Sequence, residues 1–206
     1  AHYLSVTELN HPGRDQILDF QSTNWDEVVE KCRNTSFQRE SLCYQKHMAQ
    51  HNLQGFDISW IKDVQNCILI RDPKYVIASY GKKLPIQDER HLGYIQQAEI
   101  IEFLEKENGI TPPIIDADDI LKNPESMMKK LCKALDIIFY PSMLQWPSGT
   151  RSSDGVWGVY WYEGVYDSTG FKPYTKKEVN IDQKLANVYE KCRKHYDTFY
   201  DKRMKL

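Results

Sequence analysis

The clearest pattern along the chain is a short unbroken apolar run, Cys67-Ile68-Leu69-Ile70, closed by Arg71-Asp72-Pro73 and followed by Tyr75, Val76, Ile77 and Ala78. Such a run with two β-branched members predicts a strand buried on both faces. Asp72 is a good N-cap, and Pro73 suits the first helical position, where its missing N–H would find no partner anyway. The chain is therefore predicted to leave a strand, turn through Arg71 and enter a helix within two residues. A second strand is predicted at Ile114-Ile115-Asp116, introduced by Pro112-Pro113. Between the two, Leu92, Ile95, Ala98, Ile101 and Leu104 fall at helical spacing. They predict an amphipathic helix from about Arg90 to Asn108, stopped by Gly109. Asn123 then caps a helix that opens on Pro124 and turns Met127, Leu131 and Leu135 inward.

Weaker patterns fill in the remainder. A short helical phrase runs from Gln16 to Phe20, and Asn24 is placed to cap a helix over Trp25 to Arg33. Leu42 and Tyr44 alternate with Cys43 and Gln45, which predicts a further strand over Leu42 to His47. Ser59-Trp60-Ile61 reads as a short helix. Near the end, Asn180 with Gln183 resembles a capping box opening a helix whose apolar stripe is Leu185, Val188, Cys192, Tyr196 and Phe199. Five glycines and seven aromatics crowd residues 149–174, and so long a stretch of weak periodicity predicts a functional loop or lid. Strands alternating with helices predict an α/β domain with a parallel sheet, and no linker or repeat divides residues 1–206.

Composition narrows the function classes. A net charge of −2 argues against a nucleic-acid scaffold or a basic membrane surface, and no apolar run approaches the length of a bilayer span. The five scattered cysteines, Cys32, Cys43, Cys67, Cys132 and Cys192, are expected to be reduced, buried thiols of a cytoplasmic protein. The sequon Asn34-Thr35-Ser36 matters only in a secreted chain.

Three residues carry candidate chemistry. Arg71, beside a helix N-terminus, offers a planar cationic fork to a phosphate, or else pairs with a carboxylate. Ser79 adds a hydroxyl two helical turns further on. His47 ends a predicted strand, where ligands bind in open α/β sheets; it is either a proton acceptor or a histidine bonded to the backbone. His47 and His51 are four apart, but Met48 stands where the zinc-protease helix has Glu, so no metal is expected.

The segment Ile68-Leu69-Ile70-Arg71-Asp72-Pro73 with Val76 and Ser79 resembles the 3′-phosphate-binding segment of sulfotransferases, P-loop-superfamily enzymes that use 3′-phosphoadenosine 5′-phosphosulfate as donor. Residues 116–124, Asp116-Ala117-Asp118-Asp119-Ile120-Leu121-Lys122-Asn123-Pro124, resemble a second family pattern and serve as a fold marker. The resemblance covers about residues 42–206. It implies a three-layer fold, a parallel sheet flanked by helices, with Arg71 and Ser79 on the nucleotide's 3′-phosphate and His47 as general base. The family separates its lysine and histidine by one residue, whereas Lys46 and His47 are adjacent, so Lys46 does not copy that lysine. Arg151 and Gly155 match only loosely the place of the family's Arg-Lys-Gly phosphate contact. The implied reaction moves a sulfuryl group to a small-molecule hydroxyl or amine, without metal. The family's opening strand, phosphosulfate loop and helix have no counterpart here, since no Gly-x-x-x-x-Gly-Lys-Ser/Thr occurs and the one glycine-rich stretch lies late. The chain thus reads as an N-terminally truncated sulfotransferase-like domain, inactive as it stands. Two alternatives remain open: a non-catalytic nucleotide-binding or interaction module, and, more weakly, a P-loop kinase.

Overall fold

A computed structural model describes residues 1–34, 42–151 and 154–206. Thr35 and Ser36 of the sequon lie outside these residues. Three helices open the chain: α1 (His2–Thr7), α2 (Arg14–Phe20) and α3 (Trp25–Asn34). Asn24 caps α3 as expected, its side chain accepting from the Glu27 N–H at 3.1 Å. Residues 42–48 carry no strand. The expected strand there fails because its alternation has no neighbouring strand to pair with, and Leu42 and Tyr44 stay exposed.

The central unit follows. Strand β1 (Ile68–Ile70) leads into α4 (Pro73–Tyr80), where Asp72 accepts from the Lys74 N–H at 3.0 Å. The long helix expected from Arg90 is divided. Glu89–Leu92 form a 3₁₀ turn, Gly93 sits at φ 81°, and α5 runs Tyr94–Asn108. Gly93 breaks the helix by adopting a left-handed conformation that side chains disfavour, and a Cβ there would crowd Gln50. Strand β2 (Ile114–Asp116) then pairs parallel with β1, Ile70 opposite Asp116.

Asp116 caps α6 (Ala117–Lys122), and Asn123 caps α7 (Pro124–Ala134) through the Ser126 N–H at 3.1 Å. The aromatic segment holds two single-turn helices, α8 (Gly158–Trp161) and α9 (Glu163–Tyr166), so it is more ordered than its weak periodicity implies. The last helix, α10 (Ala186–Lys202), is not opened by Asn180. Asp182 instead caps a 3₁₀ turn over Gln183–Leu185 that feeds it, a shorter route from loop to helix.

Two cores flank the strands. Ile68, Ile70 and Ile114 pack with Ile77, Tyr94, Ile101 and the α10 stripe of Val188, Cys192, Tyr196 and Phe199. Ile115, one register position away, packs with Met127 and Leu131 of α7. The result is an α/β fold whose sheet, among the described residues, has two strands. One expectation is corrected: β1 is not buried on both faces, because Leu69 is 54% exposed. Its backbone also turns from β2. The Ile68 N–H donates to Pro113 O at 2.8 Å, so the next residue faces the opposite edge, where the Leu69 carbonyl accepts from the Gln97 side chain at 3.0 Å.

Asp116 carries a buried polar node. It is 2% exposed, and Tyr196 donates to it at 2.9 Å while the Asp118 and Asp119 N–H groups fill its other oxygen. Burial pushes this carboxyl above its ordinary pKa despite those donors. Tyr196→Phe leaves a buried carboxylate oxygen unsatisfied, and is expected to lower the unfolding free energy by about 1–3 kcal/mol. An unchanged urea midpoint would show that water replaces the phenol.

Among the described residues all five cysteines are free thiols. Burial pushes Cys192 up to about 12, which keeps it protonated and inert. No helix among those residues is long and apolar enough to cross a membrane.

Candidate functional site

The site begins at the β1–α4 junction, and its backbone is held from three sides. The buried Tyr94 hydroxyl donates to the Arg71 carbonyl at 2.6 Å. Asp72 receives Arg193 of α10 at 3.1 Å and Lys74 at 3.5 Å. Two cations therefore neutralise the carboxylate nearest Arg71. Arg71 itself is exposed and makes no ion pair among the described residues; its guanidinium lies 5.2 Å from the centre of the Tyr75 ring. The carboxylate-paired alternative for Arg71 thus finds no partner.

Arg71 stands in the turn just before α4, next to the Asp72 cap, while Tyr75 and Ser79 lie four residues apart on the helix itself. Ser79 is exposed in the last turn but one residue of the helix. The helix N-terminus contributes less to an anion than its position suggests. The Asp72 carboxylate already accepts the Lys74 N–H and brings its own negative charge. An anion here would rest chiefly on the Arg71 fork and the Ser79 hydroxyl.

A contact invisible in the sequence brings distant chain to this helix. Tyr75 donates its hydroxyl to Lys177 O at 3.0 Å, and Tyr174 donates to Asp118 at 3.3 Å. The segment carrying Lys172, Lys176 and Lys177 is thereby pinned beside the ends of both strands. Arg151 is engaged elsewhere: its N–H donates to Asp154 and its side chain to Pro147 O. Only the three closely spaced lysines hinted at the former arrangement, and nothing in local spacing tied them to Tyr75.

His47 occupies a second cluster. Its Nε2 lies 3.0 Å from Gln45 Oε1, and its ring is 5.6 Å from Trp60. Partial burial lowers its pKa and so favours the neutral ring near pH 7, although the residue as a whole is exposed. His51 stacks on Tyr3 at 4.5 Å, and His47 and His11 lie within electrostatic range of it. Tyr3 in turn is within range of Tyr80, the last residue of α4. These rings connect the histidines to the Ser79 end of the helix. No hydrogen bond, ion pair or ring contact joins His47 directly to Arg71 or Ser79. Among the described residues no group of three or more acidic, histidine or cysteine side chains is placed to hold a metal ion.

Among the described residues of the glycine-rich run, three N–H donors are already taken. The Gly149 N–H donates to Tyr166 O at 2.8 Å, Asp154 N–H to Arg151 O at 3.0 Å and Gly158 N–H to Gly155 O at 2.8 Å. The Trp157 ring covers the position a Gly155 Cβ would take. These donors are spent within the segment.

Two relatives from Arabidopsis thaliana are described as branched-chain-amino-acid aminotransferase-like proteins 1 and 2. The first is 33% identical over 171 residues, 83% of this chain and 30% of that protein. The second is 29% identical over 198 residues, 96% of this chain and 35% of that protein. The chain thus spans about a third of the length of these curated relatives. No solved structure matches. A family model described as a sulfotransferase domain matches residues 1–189, and with that match over most of its length the chain belongs to the sulfotransferase domain family.

Proposed function

We propose that this chain is the nucleotide- and acceptor-binding part of an enzyme that moves a sulfuryl group from 3′-phosphoadenosine 5′-phosphosulfate to a hydroxyl or amine of a small molecule. The observation that carries the reading is Arg71, an exposed cation with no carboxylate partner among the described residues, in the turn that enters the helix bearing the exposed Ser79. These groups suit the donor's 3′-phosphate, with Lys176 and Lys177 near enough in the chain to add charge. Nothing comparable suits the 5′-phosphosulfate. We infer that the complete domain supplies that loop together with further strands along the free edge of β1, completing a three-layer sheet.

In the reaction, the acceptor oxygen or nitrogen bonds to sulfur as the bond from sulfur to the bridging phosphate oxygen breaks. Adenosine 3′,5′-bisphosphate leaves with that electron pair. His47 takes the acceptor's proton and passes it to solvent. Positioning and neutralised charge supply the catalysis, as in phosphoryl transfer. The names of the two relatives describe proteins of which this chain covers 30% and 35%, and their aminotransferase label is not carried to these residues.

The test is calorimetry with adenosine 3′,5′-bisphosphate and adenosine 5′-monophosphate. The bisphosphate is expected to bind more tightly, and Arg71→Ala to weaken it on the order of tenfold to a hundredfold, since a charged hydrogen bond contributes roughly 1.5–3 kcal/mol. Equal affinity for the two nucleotides would remove the assignment. Selective binding without transfer by the complete protein would favour the second reading, a nucleotide-binding module that has lost catalysis.

A further inference from the structure

We infer that Gln45 is a positioning residue that leaves Nδ1 of His47 as the nitrogen free to take the acceptor's proton; this rests on the base role proposed for His47. The Gln45 side chain bridges two elements. Its Nε2 lies 2.8 Å from the Cys32 carbonyl and 3.7 Å from Cys43 Sγ, and its Oε1 lies 3.0 Å from His47 Nε2.

A backbone carbonyl only accepts, so the amide nitrogen must face Cys32 and the amide oxygen must face the histidine. That oxygen also only accepts. His47 Nε2 must therefore carry a hydrogen and donate it, and in the neutral ring the lone pair then sits on Nδ1. The amide is held for a reason outside the site. Cys32 belongs to the last turn of α3, which ends at Asn34, and carbonyls there lack an acceptor's usual N–H from the helix. Gln45 supplies a donor to the Cys32 carbonyl, so turning the amide over would set two acceptors against each other at that distance. Trp60 flanks the ring at 5.6 Å and limits its rotation.

During transfer the acceptor's proton goes to Nδ1. The resulting imidazolium keeps its Nε2–H on Gln45 Oε1, a bond that strengthens as the ring becomes charged. Gln45 thus orients the base without touching the acceptor.

The experiment uses the complete protein with ¹⁵N-labelled histidine, the His47 signals being identified by their loss in His47→Ala. The expected spectrum shows ¹⁵N shifts of an unprotonated Nδ1 and a protonated Nε2 in the neutral ring. Gln45→Leu is expected to let the two neutral tautomers mix, shifting both ring ¹⁵N signals, and to lower kcat about tenfold to a hundredfold, with nucleotide affinity unchanged. Gln45→Glu keeps an acceptor toward His47 but sets its second oxygen against the Cys32 carbonyl; with the carboxylate turned away from Cys32 it is expected to retain the Nε2–H and recover part of kcat. A protonated Nδ1 in the unaltered protein would overturn the inference while leaving His47 able to act as base. Equal loss of the Nε2–H in the Glu and Leu variants would overturn it too, by making the tie to Cys32 the whole role of Gln45. Should the expected spectra come with normal turnover in His47→Ala, the tautomer assignment stands and the base role falls.

Discussion

Residues 1–206, given labelled 3′-phosphoadenosine 5′-phosphosulfate and a panel of hydroxyl and amine acceptors, are expected to transfer no sulfate, while a chain extended upstream does. The donor's reacting end carries its charge on the 5′-phosphosulfate, and Arg71 and Ser79 are assigned to the opposite end of the nucleotide. The remaining candidate for that anion is the run from Gly149 to Gly158. Its Gly149, Asp154 and Gly158 N–H groups are already bonded to carbonyls of the same segment. A developing negative charge without preorganised donors loses the largest electrostatic contribution to such a reaction, about two to three orders of magnitude for one donor alone. The same reasoning bears on stability. Leu69, 54% exposed in the middle of β1, and the edge beside it present apolar surface and backbone to solvent. The short chain is expected to unfold at lower urea than the extended one and to associate on sizing. Transfer by the short chain at the rate of the long one would overturn the prediction and make the glycine-rich run the phosphosulfate site.

His47→Ala in the complete protein is expected to lower turnover by about 10² to 10⁴, the contribution of a positioned general base, with little change in nucleotide affinity. The separation follows from the geometry, because no hydrogen bond, ion pair or ring contact links His47 to Arg71 or Ser79. Rapid-mix product analysis with titration of adenosine 3′,5′-bisphosphate measures both quantities. Near-normal turnover would leave His47 as a structural residue packed on Trp60. His51 would then be the next ring to test, since burial pushes its pKa down and it stacks on Tyr3.

Local chemistry made much of the site legible in the chain. The cap at Asp72, the proline after it, the second cap at Asn123 and both strands follow from short-range rules, because each depends on neighbours within a few residues. Arg71 falls in the turn just before α4, and Ser79 within that helix, for that reason. What short-range rules missed depends on long-range partners. Leu42 to His47 alternates like a strand, yet a strand exists only where another edge pairs with it. Gly93 interrupts an apolar stripe that periodicity alone would continue, because the backbone must pass close to Gln50. The freedom of Arg71 was undecidable from sequence, since it rests on Arg193, over a hundred residues away, joining Lys74 on the carboxylate beside it. The Tyr75–Lys177 bond and the open face at Leu69 belong to the same class. Residue order decides caps, periods and the chemistry of each side chain. Which charges are neutralised and which faces stay open depends on chain segments far apart in sequence, because Coulomb attraction and burial act on distance in space.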